Sequence, residues 1–297
     1  MEQSETPAGR LSGQQADLLA EWLPGWRLVR DLGWGLVGTT VLQVEHDGGP
    51  YVVKAGDAAD HHLARELRAH REWLTPWTSR GRAPVLVHGD EAAKLLVTRY
   101  LPGELVQGNP AESDPDTYEQ AGWLLRLLHD QLSVVDEGFE ARERDKALAW
   151  LARSHRIEPA AAAALHEMVS GWPTPPTRLV PTHGDWQPRN WLIDGATVRA
   201  IDLGRADLRP AMSDLTRLAA QQFRVVPGAE SAFLTGYGTD PRDADAWFRT
   251  RVREAIGTAV WAHQVGDEPF EAQGHRMVAE VLAEAGNHPP DNRRYRT

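Results

Sequence analysis

Residues 183–202, HGDWQPRNWLIDGATVRAID, place the strongest constraint on how this chain can fold. WLI and TVRAI are apolar, β-favouring runs on either side of Asp194-Gly195, a pair that favours a tight hairpin because both residues tolerate positive φ. The hairpin folds the segment back on itself. Asn190 then stands where its first strand begins and Asp202 where its second ends, so an amide oxygen and a carboxylate meet at the open end, close to Asp185. Such a donor set suits Mg²⁺, a hard cation that keeps several waters and takes one or two protein oxygens together with a substrate's phosphates.

The first half of the segment carries a second pattern. Asp185 is followed five positions later by Asn190, the spacing of the kinase catalytic loop H-R-D-x-x-x-x-N with Gly184 in place of the Arg. HGDWQPRN and IDLG together resemble the catalytic loop and metal-binding segment of the aminoglycoside phosphotransferase and choline kinase-like family. The resemblance implies a protein-kinase-like fold, and transfer of the γ-phosphoryl group of ATP or GTP to a hydroxyl on a small molecule, with Mg²⁺. It implies roles as well: Asp185 as the base that orients the attacking hydroxyl and accepts its proton, with Asn190 and Asp202 as metal ligands. Leu203 occupies the place of the Phe in the protein-kinase D-F-G, a departure usual for the small-molecule branch. No A-P-E segment follows, and the chain passes almost directly to a helix started by Pro210, which disfavours a protein kinase.

Upstream, residues 14–23 have helical spacing and stop at Pro24-Gly25. WRLVRDL, TTVLQVE and YVVKAG then read as three antiparallel strands. Gly33, Gly35 and Gly38 satisfy G-x-G-x-x-G, and because a strand rather than a helix follows, the pattern fits a loop covering nucleotide phosphates rather than a dinucleotide fold. Lys54, on the third strand, matches the lysine of V-A-I-K that holds the α- and β-phosphates. Residues 57–74 read as a helix. On it Glu66 resembles the family's lysine-pairing glutamate, with Glu72 as the competitor. Glu66 borders the stripe of Leu63, Leu67, His70 and Leu74. His61 and His62 are adjacent on the helix and share no face, so both read as surface histidines. APVLVHGD and KLLVTRYLPGEL add two strands and complete a five-stranded sheet, with His88-Gly89-Asp90 as a turn. Residues 99–104 form the expected hinge, where the backbone groups of Arg99, Tyr100 and Leu101 would read an adenine edge, as is common in kinase-like folds.

Beyond the hinge the pattern turns helical. Ser113 is a candidate N-cap for a helix with an apolar stripe through Tyr118, Ala121, Leu125 and Leu128, and the run resembles the family's G-x-x-L-x-x-L-H with Gly122, Leu125 and His129. Residues 137–152 and 159–170 follow as helices, a proline-rich connector leads to the catalytic loop, and further helices are expected around 241–265 and 268–285. Asp214 matches an aspartate that braces the family's catalytic loop. Trp247, Phe248, Trp261 and Phe270 are either core or the lining of an acceptor pocket.

Charge and composition narrow the partners. The net charge is −10, and residues 104–206 alone hold 16 acidic and 10 basic side chains. That balance disfavours nucleic acid and anionic membranes and favours a cationic acceptor. No cysteine is present, which excludes disulfides and thiolate metal sites and suits a reducing cytoplasm. No apolar run is long enough to span a bilayer. The expectation is an α+β, bilobal protein-kinase-like enzyme. Residues 1–100 form the nucleotide-binding lobe, a five-stranded antiparallel sheet plus helix, and residues 104–297 the mainly helical lobe with the catalytic loop and acceptor site. The acceptor is a hydroxylated small molecule, an aminoglycoside-like or other antibiotic, with a choline- or sugar-like metabolite kinase or a non-catalytic nucleotide-binding regulator as alternatives.

Overall fold

Two adjacent residues with positive φ, Asp47 (48°) and Gly48 (71°), turn strand Thr39–His46 into strand Gly49–Gly56, the geometry a two-residue type I′ hairpin requires. The computed structural model describes residues 11–33 and 38–287. In chain order the elements are α1 (Gly13–Trp22), β1 (Arg27–Asp31), β2 (Thr39–His46), β3 (Gly49–Gly56), α2 (Leu63–Glu72), α3 (Thr75–Thr78), β4 (Leu86–Asp90), β5 (Leu95–Arg99), β6 (Glu104–Leu105), α4 (Pro115–His129), β7 (Val134–Asp136), α5 (Phe139–Leu151) and α6 (Pro159–Ser170). Then come β8 (Thr177–Thr182), β9 (Trp191–Asp194), β10 (Thr197–Ala200), β11 (Asp207–Arg209), α7 (Thr216–Ala220), α8 (Gln222–Val225), α9 (Ala229–Tyr237), α10 (Ala244–Val265) and α11 (Glu268–Asn287).

Two compact units result. The first takes the chain up to Leu132, with Pro181–Leu208 and Gln222–Thr239, and the second takes Ser133–Val180, Arg209–Gln221 and the chain from Asp240. The expected hinge at 99–104 falls inside the first unit, because Glu104 and Leu105 pair with Ile193 and Leu192.

In the first unit, a five-stranded antiparallel sheet in the order β1-β2-β3-β5-β4 buries alternate residues Leu42, Val44, Tyr51 and Val53 against Leu19 of α1 and Leu23 just after it. Ser12 and Gln15 form a capping box on α1, and the Gln15 amide donates to the carbonyl oxygens of Gly56 and Ala93, both at 2.9 Å. The helix expected over 57–74 begins only at Leu63. Asp60 Oδ1 accepts from the amides of His62 (3.0 Å) and Leu63 (2.9 Å), so local turn chemistry outcompetes the helix there. His88-Gly89-Asp90 is strand, not turn: it lies in β4 opposite Val97, Leu96 and Leu95. Gly89 is needed there because a Cβ would sit 2.2 Å from Leu67 Cδ2.

Helix α4 is capped by Asp114, whose carboxylate accepts from the Asp116 amide at 3.0 Å, and not by Ser113, which belongs to a preceding 3₁₀ turn. It crosses α9 at backbone distance. A Cβ on Gly122 would lie 2.1 Å from the Phe233 carbonyl oxygen, and one on Gly236 would lie 1.8 Å from that of Glu119. His129 closes this contact through a 2.7 Å hydrogen bond between Nδ1 and the Tyr237 hydroxyl. Strands β9 and β10 pair as expected, Trp191 opposite Ala200. Their loop is Gly195-Ala196, one step beyond Asp194-Gly195, with Gly195 at φ 58°, as a type II′ turn needs at its first central position.

In the second unit, α5, α6, α10 and α11 enclose a core that includes Leu165, Val169, Val252, Ile256, Val260 and Val281. Phe248 packs against that core, whereas Trp261 is exposed and meets the Phe270 ring edge-on at 5.9 Å. The buried Glu140 carboxylate is paired with Arg249 (3.2 Å) and Arg253 (3.3 Å), as a charge away from water must be. Among the described residues, no helix is long and apolar enough to cross a membrane.

Candidate active site

The loop after β8 turns on Gly184 (φ 79°) and is tied down by His183, which is fully buried. His183 Nε2 lies 3.0 Å from the Ile201 carbonyl oxygen, and its Nδ1 lies 3.3 Å from the Asp185 amide. A carbonyl only accepts and an amide only donates, so Nε2 carries the proton. The rings of Trp186 and Trp77 pack around it at 5.1 and 6.5 Å, and Trp186 in turn meets Trp191 at 5.3 Å. An aromatic cluster therefore underlies the loop and leaves its polar residues little freedom.

Above that cluster Asp185 is 4% exposed and its carboxylate is fully engaged by neighbours. Gln187 Nε2 donates to Oδ1 at 2.6 Å, Arg189 donates to Oδ2 at 2.6 Å, and Asn190 Nδ2 donates to Oδ2 at 3.0 Å and to the main-chain oxygen at 2.7 Å. Gln187 and Arg189 were not singled out in the sequence. Their signal was their position inside the loop, two and four residues after the aspartate, with side chains long enough to reach back. The Arg189 side chain is 44% exposed, so its charge faces both the carboxylate and solvent.

Asn190 and Asp202 are joined through the hairpin: the Asn190 carbonyl oxygen accepts from the Ile201 amide at 3.0 Å, which extends the β9–β10 pairing to the residue before Asp202. Lys54 reaches the same place from β3. Its ammonium lies 2.8 and 3.1 Å from the two Glu66 oxygens and 3.2 Å from Asp202 Oδ1. Glu72, the competing acid, is exposed at the end of α2. Burial alone would lower the Lys54 pKa, but the charges of Asp202 and Glu66 outweigh it and raise the pKa above its ordinary value. The Lys54 charge holds the Asp202 carboxyl down at about 2, against the desolvation that opposes it. For Glu66 burial wins over Lys54, and its pKa is raised.

Asp202 adopts φ 66°, a left-handed conformation that costs a non-glycine residue on the order of 1–3 kcal/mol and persists only where the surroundings enforce it. Its side chain remains about half exposed. The donor set fits Mg²⁺. Asn190 uses its nitrogen on Asp185, so Oδ1 is the atom it would offer a cation, and Asp202 offers a half-exposed ionised carboxylate, with the other coordination positions left to water and phosphate.

The remaining expected residues divide. Gly35 lies outside the described residues. Gly33 has its amide bonded to Asp31 Oδ1 at 2.7 Å, which removes that N–H as a phosphate donor in this conformation. Gly38, at φ 106°, accepts from the Asp57 amide at 2.9 Å, so the far end of the glycine-rich segment is anchored where β3 ends. At 99–101 the Arg99 amide donates to Val85 and the Tyr100 amide to Pro50, at 2.9 and 3.1 Å. The Arg99 guanidinium stacks 4.6 Å from the Tyr51 ring, and the Tyr100 hydroxyl accepts from Arg30 at 3.3 Å. Leu101 follows, half-buried. His62, expected at the surface, is half-buried and holds the Gly204 carbonyl, whereas its neighbour His61 is exposed.

Solved structures share this fold at low sequence identity. The chain is similar to a thermostable mutant of the aminoglycoside phosphotransferase APH(4)-Ia solved with ADP and hygromycin B, at 12% identity and TM-score 0.68 over 90% of this chain and 97% of that one. It is similar to the choline kinase LicA from Streptococcus pneumoniae, at 13% identity and TM-score 0.64 over 90% and 97%. A choline/ethanolamine kinase family protein from Mesorhizobium loti is 20% identical with TM-score 0.59 over 90% of each chain. No curated protein sequence matches. The family model described as "Phosphotransferase enzyme family" matches residues 29–250, more than half of the sequence, and the chain belongs to that family.

Proposed function

We propose that this protein transfers the γ-phosphoryl group of ATP or GTP to a hydroxyl of a small cationic acceptor, an aminoglycoside-like or other antibiotic. The observation that carries the reading is the convergence of Lys54, Glu66 and Asp202, linked through one hairpin hydrogen bond to a loop in which Asp185 and Asn190 are already bonded to each other. In-line transfer needs little covalent help, and positioning with charge stabilisation does most of the work. Residues 1–100 hold the nucleotide. Lys54 meets the phosphates, Gly33, Gly35 and Gly38 cover them, and the hinge reads the base. Of the three hinge amides, those of Arg99 and Tyr100 are already bonded, which favours Leu101 as the adenine-facing donor. Mg²⁺, held by Asn190 and Asp202, would neutralise charge on the phosphates. Asp185 accepts the acceptor's hydroxyl proton as the new O–P bond forms and the bond to the departing nucleoside diphosphate breaks.

The acceptor site lies in the part of the chain after residue 104. The excess of acidic side chains in 104–206 supports a cation there. A second reading, a choline-like acceptor, is supported by the choline kinase neighbours, and it shares that positive charge and a free hydroxyl. The cysteine-free composition supports a cytoplasmic setting.

The test is release of nucleoside diphosphate from Mg-ATP and Mg-GTP across aminoglycosides, other hydroxylated antibiotics, choline-like alcohols and sugars. Turnover with an antibiotic supports the first reading, and turnover confined to choline-like alcohols supports the second. Absence of turnover with every acceptor, together with absence of Mg²⁺-dependent nucleotide binding, would overturn the kinase reading.

A further inference from the structure

The N-terminal end of α2 grips the segment after Asp202 through a side chain that the phosphoryl-transfer scheme does not use. His62 Nδ1 lies 2.9 Å from the Gly204 carbonyl oxygen. Because that oxygen only accepts, Nδ1 carries the proton and donates, in the neutral ring and in the imidazolium alike. The space around Gly204 is closed: a Cβ would lie 3.2 Å from His62 Cβ, 3.5 Å from Asp202 Oδ1 and 3.8 Å from Glu66 Oε2. Further along α2, Arg68 pairs with Asp207 Oδ1 at 2.8 Å, so the helix holds the segment at a second point.

Asp202 needs such a hold. Its backbone is in a left-handed conformation that asparagine and aspartate visit only with support, and its side chain is about half exposed, so packing does little to aim it. Lys54 pulls on Oδ1 alone. We infer that His62 is a positioning residue: by bonding the Gly204 carbonyl it fixes the glycine that packs against the Asp202 carboxylate, and so sets the aim of the metal-binding oxygen. The same helix carries Glu66, so one rigid element places both the lysine's partner and the metal-binding carboxylate. The inference deepens the kinase reading above and rests on it.

The experiment compares the full-length chain with His62→Phe, which keeps a ring and deletes the donor, and His62→Asn, which offers a donor near the position of Nδ1. Three quantities are read: affinity for ATP with and without Mg²⁺, kcat and KM for ATP, and amide hydrogen exchange across residues 203–207. In His62→Phe, Mg-ATP affinity falls roughly tenfold while metal-free ATP binding stays within about twofold, and exchange in the segment quickens roughly tenfold. His62→Asn recovers most of both. A purely structural role would lower the unfolding temperature and weaken both kinds of nucleotide binding together, and that result overturns the inference. Mg-ATP affinity and exchange like the wild type in His62→Phe also overturn it. If the wild-type chain binds no nucleotide with Mg²⁺, the kinase reading falls and takes the metal-aiming role with it, while the exchange measurement separately decides whether His62 holds the segment.

Discussion

The Asn190 side chain binds Asp185 twice, at the main-chain oxygen (2.7 Å) and at carboxylate Oδ2 (3.0 Å). A 3₁₀ turn over Pro188–Asn190 brings the amide back to the aspartate, which gives the five-residue spacing a physical meaning. The Asp185 carboxylate and the Asn190 amide are therefore one unit.

Asp185→Asn keeps the size of the side chain but removes its basicity and sets an NH₂ group against the donors that now reach one of the carboxylate oxygens. Turnover is expected to fall by roughly 10²- to 10⁴-fold while nucleotide affinity stays within about threefold. Steady-state kinetics beside a direct binding titration check both halves, and wild-type kcat in the variant removes Asp185 from the mechanism.

Lys54→Ala leaves the Glu66 carboxylate, 4% exposed, without its cation. Removing one partner of such a pair costs about 3 kcal/mol at neutral pH. The cost shrinks in acid. Burial already holds the Glu66 pKa above its ordinary value, and loss of Lys54 raises it further, so the variant keeps its stability below that pKa and loses it as pH rises through it. Denaturant midpoints at pH 5 and pH 8 test this, with the larger deficit expected at the higher pH.

Asp202→Asn tests the opposite sign. The Asp202 carboxyl is lowered from 3.8 to about 2 by Lys54, so its contribution to stability is fully present above about pH 4 and is lost as pH falls toward 2. The gap in unfolding temperature between wild type and variant should be flat from neutral pH to about pH 5 and narrow below about pH 4. A gap that widens on acidification would falsify the ion-pair assignment. Its size should be small because the Asp202 side chain is about half exposed.

Gly122→Ala places a methyl group 2.1 Å from the Phe233 carbonyl oxygen, where α4 and α9 touch backbone to backbone. The helices must separate, at an expected cost of about 1–3 kcal/mol. The loss should appear as a lower denaturant midpoint with the catalytic loop unchanged. A variant as stable as wild type would show that the crossing can spread without loss.

The ribbon from 183 to 202 was legible because its information is local: hairpin, apolar runs and the Asp-to-Asn interval all lie within twenty residues, and the structure moved only the turn, by one position. Lys54 and Glu66 were singled out by their match to the family's strand lysine and helix glutamate, Glu66 also by the stripe it borders, and the structure pairs them at 2.8 Å. Elements whose partners are distant in sequence were not. Strand β6 exists because Ile193 and Leu192 accept it, and β7 because Leu179 to Thr177 pass beside it, and neither run has periodicity enough to announce itself. His88-Gly89-Asp90 misled because glycine usually marks a turn, whereas here it marks the close approach of Leu67. His62 was misjudged for a related reason: helical spacing ranks the faces of α2 but says nothing of a carbonyl arriving from residue 204.

The first unit is assembled from three stretches of chain, ending at Leu132, Leu208 and Thr239. On a ribosome adding about 5–20 residues per second, the sheet emerges early but waits roughly seven to twenty-eight seconds for α9 to close against α4. During that interval Lys54 and Glu66 are made before Asp202, and the groove of α4 that receives α9 stays uncovered. The face of α4 that meets α9 at backbone distance is thus among the last parts of this unit to gain its cover in a nascent chain.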